Sequence, residues 1–355
     1  MAKLKIAVVG VGSISSYHIN SYFKNPDAEV YAFCDINEAR LRYMGEKHGV
    51  TRLYTDEAQM LRELPEIDAV SVCTWNSAHA PCSIMALDAG KHVLCEKPMA
   101  TSVEEAIAMQ EAAERNGKLL MIGFVRRFGK DCDIVKDLAD EGTLGEVYYA
   151  KAVNMRRNGH PGGWFGDKSR SGGGPLIDLG VHSIDLVRYL LGKPSVTSVY
   201  GATFAKLGDR SNLKTQKAYR SVSAGYKDIC DCEDLATATV RFDSGAVLTV
   251  EMSFSLNLEE NQNYVQLFGT KSGVKLDDNV RLFSEMNGYM TNVDLCGKTG
   301  IDVGEAFVGE INNFVDAVNG KAACRCPAED GVELMRILTA IYRSAETEHE
   351  VVIER

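Results

Sequence analysis

Residues 4–15 read LKIAVVGVGSIS. A short apolar run breaks at Gly10-Val11-Gly12, and a helical pattern follows directly from Ser15. Strand, glycine turn and helix in this order open a βαβ unit, and the runs that follow repeat the theme. EVYAFC (29–34), DAVSVC (68–73), HVLCE (92–96) and KLLMIGF (118–124) alternate with helical patterns. Strands separated by helices imply right-handed parallel crossovers and hence a doubly wound sheet. The runs are almost continuously apolar instead of alternating, as expected where helices cover both faces. The first domain, residues 1–124, is therefore predicted to be α/β.

After Arg126 the pattern changes. A helix is predicted over 131–140, a strand over 146–154, a glycine-rich turn, and one helix over 176–190. Strands are predicted over 196–204, 235–242, 246–254, 264–268, 273–276 and 280–283, helices over 304–318 and 329–346, and a last strand over 351–353. In VRFDSGAVLTV (240–250), Asp243-Ser244-Gly245 joins two alternating runs and supplies a glycine for a positive φ, so this stretch reads as a hairpin. Residues 125–355 are expected to form an α+β domain with an open, mainly antiparallel sheet. The polar stretch 206–233 is too long for a plain connector. It is functional, oligomer-making or a solvated insertion.

A chain of 355 residues exceeds the size at which single cores stop growing, about 250–300 residues. The 45% hydrophobic and 25% charged composition is that of a folded protein. A formal charge of -10 without a basic patch disfavours nucleic acid and anionic membranes as partners. The start of the chain runs into a strand with no signal-peptide core, and no apolar run reaches spanning length, so a cytoplasmic location is expected. Several of the ten cysteines lie in apolar patterns and read as buried thiols. Cys230/Cys232 and Cys324/Cys326 have CxC spacing, not the CxxC of zinc knuckles, so no metal is expected.

The glycine turn carries the first chemical signal. Gly10 permits the tight turn, Gly12 lets the backbone approach a pyrophosphate, and amides at the helix start, around Ser13 and Ile14, would hold the anion. Ser15 stands where a third glycine serves close packing, and a small side chain is tolerated there. Asp35 follows twenty positions later, at the end of the second strand, where a carboxylate accepts hydrogen bonds from ribose hydroxyls and repels a 2'-phosphate. NAD is favoured over NADP, although Arg40 one turn into the next helix argues the other way.

Two further patterns stand out: Glu96-Lys97-Pro98 at a strand end, and GGGPLIDLGVHSIDL (172–186) entering a helix. Asp178 and His182 are four apart, so on a helix they share a face, where a carboxylate could orient an imidazole or share substrate hydroxyls. Lys97 lies at the carboxyl end of a parallel strand, where open sheets bind ligands, and its ammonium can stabilise negative charge on a reacting oxygen. Taken singly, a lysine before proline also fits a solvated charge, and Asp with His at helical spacing also fits a surface pair.

With EKP, GGGPLIDLGVHSIDL and EAFVGEINNFVDAV (305–318) together, the chain resembles the glucose-fructose oxidoreductase and inositol dehydrogenase family, Gfo/Idh/MocA, over almost its whole length. The resemblance implies a Rossmann domain that binds NAD and a second domain whose open sheet carries substrate and subunit contacts. It also implies a Lys97, Asp178 and His182 catalytic set, with His182 as general base in oxidation and Lys97 and Asp178 positioning and polarising. By the same resemblance, Thr74, Trp75, Asn76 and His79 belong to the cofactor contacts, to which Glu96, Lys97 and Arg126 are added. Trp75 stands where the family usually has proline, which puts the local loop shape in question. Asn154, Arg156 and Trp164 join Lys97, Asp178 and His182 as substrate contacts, with Arg127, His160 and Lys168 as further donors nearby. Trp164 reads equally as packing or as a sugar platform.

The implied activity is NAD-dependent oxidation or reduction of a secondary hydroxyl on a sugar, glycoside or cyclitol, within the family most like 3-oxidation of a glucoside or anhydrosugar. Two other readings stand beside it: a glycosidase that recycles bound NAD, and a regulator that binds NAD without catalysis. The retained Lys97, Asp178 and His182 argue against the regulator. An open sheet with an uncovered apolar face predicts a homo-oligomer.

Overall fold

The computed structural model describes residues 3–214, 221 and 229–353. The central part of the 206–233 stretch lies outside them. Two compact units result: residues 1–125 with 307–335, and residues 126–306 with 336–355.

In the first unit, β1 (Leu4–Val9), β2 (Ala28–Cys34), β3 (Leu53–Tyr54), β4 (Ala69–Val72), β5 (His92–Glu96) and β6 (Leu120–Gly123) form one sheet in the order β3-β2-β1-β4-β5-β6. Every pairing is parallel. This is the doubly wound Rossmann order, with its switch point between β1 and β4. The intervening helices are α1 (Ser15–Lys24), α2 (Glu38–His48), α3 (Glu57–Glu63), α4 (His79–Asp88) and α5 (Val103–Asn116). Their ends follow from local chemistry. Asn37, Asp56 and Ser102 cap α2, α3 and α5 through their side chains, and Gly49 and Gly117 end α2 and α5 in the left-handed conformation. The strands are buried almost throughout, β4 completely, as their unbroken apolar runs require. β3 was not anticipated, because two residues are too short for any periodicity. Residues 307–335, which the sequence reading leaves with the second domain, pack with the first unit. The Ile122 amide donates to the Cys326 carbonyl at 2.9 Å, and the Asn25 amide side chain donates to Asn312 at 2.7 Å.

The second unit carries α6 (Lys130–Asp140), β7 (Val147–Met155), the short α7 (Lys168–Ser171), α8 (Val181–Leu190), β8 (Val196–Phe204), β9 (Leu235–Phe242), β10 (Val247–Ser253), β11 (Gln262–Gly269), β12 (Ser272–Leu276), β13 (Val280–Met286), β14 (Tyr289–Asp294) and β15 (Val351–Val352). The helices α9 (Val303–Val318) and α10 (Ala328–Thr347) run from one unit into the other. The sheet has nine strands in the order β14-β13-β12-β11-β7-β10-β9-β8-β15. Neighbours are antiparallel except β7 and β10, which run parallel. Gly245 takes φ 87° in the β9–β10 hairpin, as its place in the turn demands. Burial alternates along β9 and β10, so one face of the sheet packs on the core and the other looks outward.

Residues 176–190 are not one uniform α-helix. Leu176–Gly180 form a π turn that leads into α8. Asp178 and His182 remain one turn apart on this continuous segment, but its first turn is wider than the spacing argument assumes.

Candidate functional site

In the first unit the glycine turn is built as a tight crossing. A Cβ on Gly10 would stand 2.6 Å from the Cys73 carbonyl oxygen, and Gly10 takes φ +85°, so no other residue fits there. Gly12 differs: nothing lies within 4 Å of where its Cβ would be. Ser13 is exposed, Ile14 half-buried and Ser15 buried. Ser15 Oγ donates to the Gly12 carbonyl at 2.9 Å, so the residue standing for the third glycine pins the turn. No side chain among the described residues caps the start of α1. An open glycine beside an uncapped helix start is what a pyrophosphate needs.

Asp35 braces the same turn from β2. Its Oδ2 accepts from the Val11 amide at 2.8 Å and its Oδ1 from the Asn37 amide at 2.7 Å. Each carboxylate oxygen can accept a second bond, which leaves capacity for ribose hydroxyls. Arg40 donates through Nε to the Val11 carbonyl at 2.8 Å and through Nη2 to the Gly12 carbonyl at 3.3 Å. Its guanidinium is thus engaged in holding the turn, where the sequence raised it as a partner for a phosphate.

Beyond β4, the Thr74 hydroxyl donates to the Trp75 carbonyl at 3.2 Å, Trp75 is half-buried and Asn76 buried. His79, 1% exposed, faces two carbonyls, Pro98 from Nδ1 at 2.7 Å and Thr74 from Nε2 at 3.3 Å. Burial holds its imidazole below the ordinary histidine range, so the neutral ring donates to the nearer oxygen, that of Pro98. Glu96 is also turned inward. Its Oε1 meets His18 Nε2 at 2.8 Å and its Oε2 accepts from the Lys97 amide at 3.1 Å. Among the expected cofactor contacts, the His79 and Glu96 side chains therefore serve to hold Thr74, Pro98 and Lys97 in place. Lys97 follows Glu96 at the end of β5 and joins Pro98 through a cis peptide bond.

In the second unit the burial of the π turn and α8 is selective. From Leu176 to Arg188 every residue is buried except Asp178 and His182. Two polar side chains at i and i+4 are thus the only ones of this stretch with access to its surface. The segment is anchored by a residue the sequence reading did not single out. The Glu233 carboxylate accepts from the Gly174 amide at 2.9 Å, from the Leu176 amide at 3.3 Å and from the Tyr342 hydroxyl at 2.8 Å. Burial pushes the Glu233 carboxyl up from the ordinary range, and these donors oppose it. Its neighbours complete a clasp. The Asp231 carboxylate accepts from the Lys168 amide at 2.7 Å, and the Asp234 carboxylate accepts from the Lys206, Leu207 and Gly208 amides. Glu233, at the end of 206–233, thus holds the glycine-rich turn, and Asp231 holds the start of α7 before it; the only hint in the sequence was a polar stretch longer than a connector.

Asn154 and Arg156 lie at the end of β7 and just past it, both half-buried, and the Arg156 amide bonds to Ser253. Trp164 stacks on Phe165, with ring centroids 4.1 Å apart. His160 is buried against Phe254 and accepts from the Gly162 amide at 3.0 Å, so it shapes the loop. The Lys168 side chain is exposed. Arg126 pairs with Asp131 at 2.8 Å, and Arg127, fully buried, grips Asp185 through two bonds at 2.9 and 2.6 Å.

Comparison with known proteins agrees with the fold. Residues 4–124 match the model described as oxidoreductase family, NAD-binding Rossmann fold, and residues 136–353 match the family's C-terminal alpha/beta domain. The chain belongs to this Gfo/Idh/MocA family and is an NAD-dependent oxidoreductase. It is 34% identical over 347 residues to the D-glucoside 3-dehydrogenase of Escherichia coli, covering 97% of this chain and 96% of that one. It is 28% identical to the myo-inositol 2-dehydrogenase of Thermotoga maritima over 99% of each. Among solved structures, the aldose-aldose oxidoreductase from Caulobacter crescentus complexed with glycerol is similar, with a TM-score of 0.81 and 25% identity over 99% of this chain and 100% of that one. No helix among the described residues is long and apolar enough to cross a membrane.

Proposed function

We propose that the chain oxidises a ring hydroxyl of a sugar, glycoside or cyclitol, and that the 3-hydroxyl of a glucoside is the position attacked. The observation that carries this reading is the selective access of Asp178 and His182 on an otherwise buried segment, in a chain similar along its whole length to a D-glucoside 3-dehydrogenase. Residues 1–124 hold NAD through Gly10, Gly12, Ser13, Ile14 and Asp35, with Thr74, Trp75 and Asn76 as further contacts, and Arg126 adds one from the start of the second domain. Residues 125–355 carry the substrate and subunit contacts. NAD held in the first domain would supply the hydride acceptor for oxidation of the carbinol carbon.

The proton has to leave in the other direction. His182 accepts it from the substrate hydroxyl, Asp178 orients the imidazole or shares a neighbouring hydroxyl, and Lys97 donates a hydrogen bond to the oxygen as negative charge builds. Asn154, Arg156 and Trp164 supply polar and aromatic contacts suited to a polyol. The test is a screen of glycosides and cyclitols with NAD, followed by NADH absorbance and by product analysis. Accumulation of NADH with a 3-keto product supports the reading. Cleavage of the glycoside without net NADH contradicts it.

Exposed Tyr148 and Tyr200 in the second sheet, with Tyr289 and Met290 on its last hairpin, support assembly into a homo-oligomer. A monomer by light scattering at micromolar concentration contradicts that.

A further inference from the structure

Glu310 lies in α9, fully buried, and neither carboxyl oxygen has a hydrogen-bond partner among the described residues. It faces His18 of α1 and Glu96 of β5, with one polar atom of each residue within 4.8 Å of the others. His18 is fully buried as well. Its Nε2 meets Glu96 Oε1 at 2.8 Å and its Nδ1 meets Ser71 Oγ at 2.9 Å. The second oxygen of Glu96 accepts from the Lys97 amide. One imidazole and two carboxyls in a site closed to water cannot all carry charge, because the surplus negative charge would be uncompensated.

The hydrogen bonds decide which carboxyl is ionised. Glu96 has two partners, His18 and the Lys97 amide, and Glu310 has none. Donors to a carboxylate favour its charged form, and burial without donors favours the acid. The titration directions agree. Burial pushes Glu310 up to about 8, with Glu96 adding to the rise and His18 opposing it. Burial also acts on Glu96, but the bond and charge of His18, with Lys97 beyond, hold its carboxyl below the ordinary range. Burial works against a charged His18, and Cys73 and Glu96 outweigh it, so the imidazole stays well above the ordinary range. Tyr22, on the same helix as His18, is pushed up chiefly by its own burial, with Cys73 and Glu310 adding to it.

We propose that Glu310 is a positioning residue for Lys97. Packed as a neutral carboxylic acid against the His18–Glu96 pair, it leaves Glu96 as the one charged carboxylate, which holds the Lys97 amide and so fixes where the Lys97 side chain leaves the strand. The proposal rests on the role given to Lys97 above.

The sign of the pH effect follows. Folded Glu310 keeps its proton up to about pH 8, whereas the unfolded chain releases it near the ordinary value of 4.5. Its contribution to stability is complete below the unfolded value and is lost as pH rises through the folded one. Glu310→Gln has the same shape and cannot ionise. The experiment compares wild type, E310Q, E310A and K97A as full chains. It reads melting temperature against pH, the carbonyl stretch of a protonated carboxyl by difference infrared spectroscopy, metal content, kcat and KM.

The expected result is that E310Q gains on wild type in melting temperature as pH rises from about 5 to 8. A protonated-carboxyl band of wild type at neutral pH disappears in E310Q. E310A loses about tenfold or more in kcat with little change in KM, and E310Q restores it. E310Q less stable than wild type at every pH, or a stoichiometric metal lost on that substitution, would overturn the proposal, because Glu310 would then be a charged ligand. Inactive K97A together with an E310A of wild-type kcat would overturn it while leaving the role of Lys97 standing. Wild-type turnover in K97A would remove that role, and the proposal with it.

Discussion

The Asp35 carboxylate accepts a hydrogen bond from the Val11 amide at 2.8 Å, so the residue proposed to read the ribose also braces the turn proposed to receive the pyrophosphate. Asp35→Ser removes the brace, an acceptor for the ribose and a repulsion against a 2'-phosphate. We expect kcat/KM with NAD to fall about 10- to 100-fold, the weight of one charge-assisted hydrogen bond, and the ratio of NAD to NADP efficiency to fall further. Asp35→Asn keeps an acceptor for Val11 without the charge, so it should relax cofactor choice more than it weakens NAD. Wild-type efficiency with NADP equal to that with NAD contradicts the assignment.

Glu233 and Gly174 are joined across 59 positions of sequence at 2.9 Å. Glu233→Ala leaves two backbone amides and the Tyr342 hydroxyl without their acceptor at the start of the segment that carries Asp178 and His182. A stability loss of about 3 kcal/mol is expected in urea unfolding, and Tyr342→Phe should cost about 1 kcal/mol. Turnover of Glu233→Ala should fall along with stability. A variant that unfolds like wild type would show that the clasp is dispensable.

The doubly wound order was readable from LKIAVV and its successors because parallel strands covered on both faces must be apolar at every position. The β9–β10 hairpin was readable from Asp243-Ser244-Gly245. β14 was not, since nearly all of it is exposed and YMTNVD carries no period. The π turn at 176–180 left no trace in spacing, because Asp178 and His182 keep the same sequence interval in either helix. A sign does remain at Gly180, where an added Cβ would stand 3.1 Å from Leu176 Cδ1. Glu233 was hidden by distance along the chain. Glu310 was visible in principle: in EAFVGEINNFVDAV it shares the helical stripe of Ala306, Phe307 and Phe314, and an acid on an apolar face asks for a partner. For His79 and Glu96 the family pattern pointed to cofactor contact, whereas their side chains turn inward and hold the loops at Thr74, Pro98 and Lys97 from inside.

Arg127 and Asp185 form a bidentate pair with side chains 0% and 1% exposed, and the guanidinium lies over the Tyr189 ring at 4.8 Å. Removing one partner strands the other charge in the core of the second unit. Asp185→Ala should therefore cost about 3–5 kcal/mol, far more than an exposed pair such as Arg115 with Asp88. Urea midpoints of Asp185→Ala and Asp88→Ala compared side by side check this. Equal losses would mean that water reaches Arg127.

His182 is one of two side chains with surface access between Leu176 and Arg188, and its imidazole suits proton exchange near neutral pH. His182→Ala should leave the fold and NAD affinity nearly intact, because the glycine turn and Asp35 belong to the first unit. Turnover should fall by about 10²–10⁴, the usual contribution of a positioned general acid or base. Lys97→Ala should show a similar loss if its ammonium stabilises the developing alkoxide. The double variant should lose less than the product of the single losses, since both groups act on one proton transfer. The measurement is single-turnover NADH formation at saturating substrate for wild type, both single variants and the double, with cofactor affinity determined separately by titration. Near wild-type hydride transfer in His182→Ala across the neutral range would end the general-base assignment, and the proton would have to pass to Lys97 or to a bound water instead.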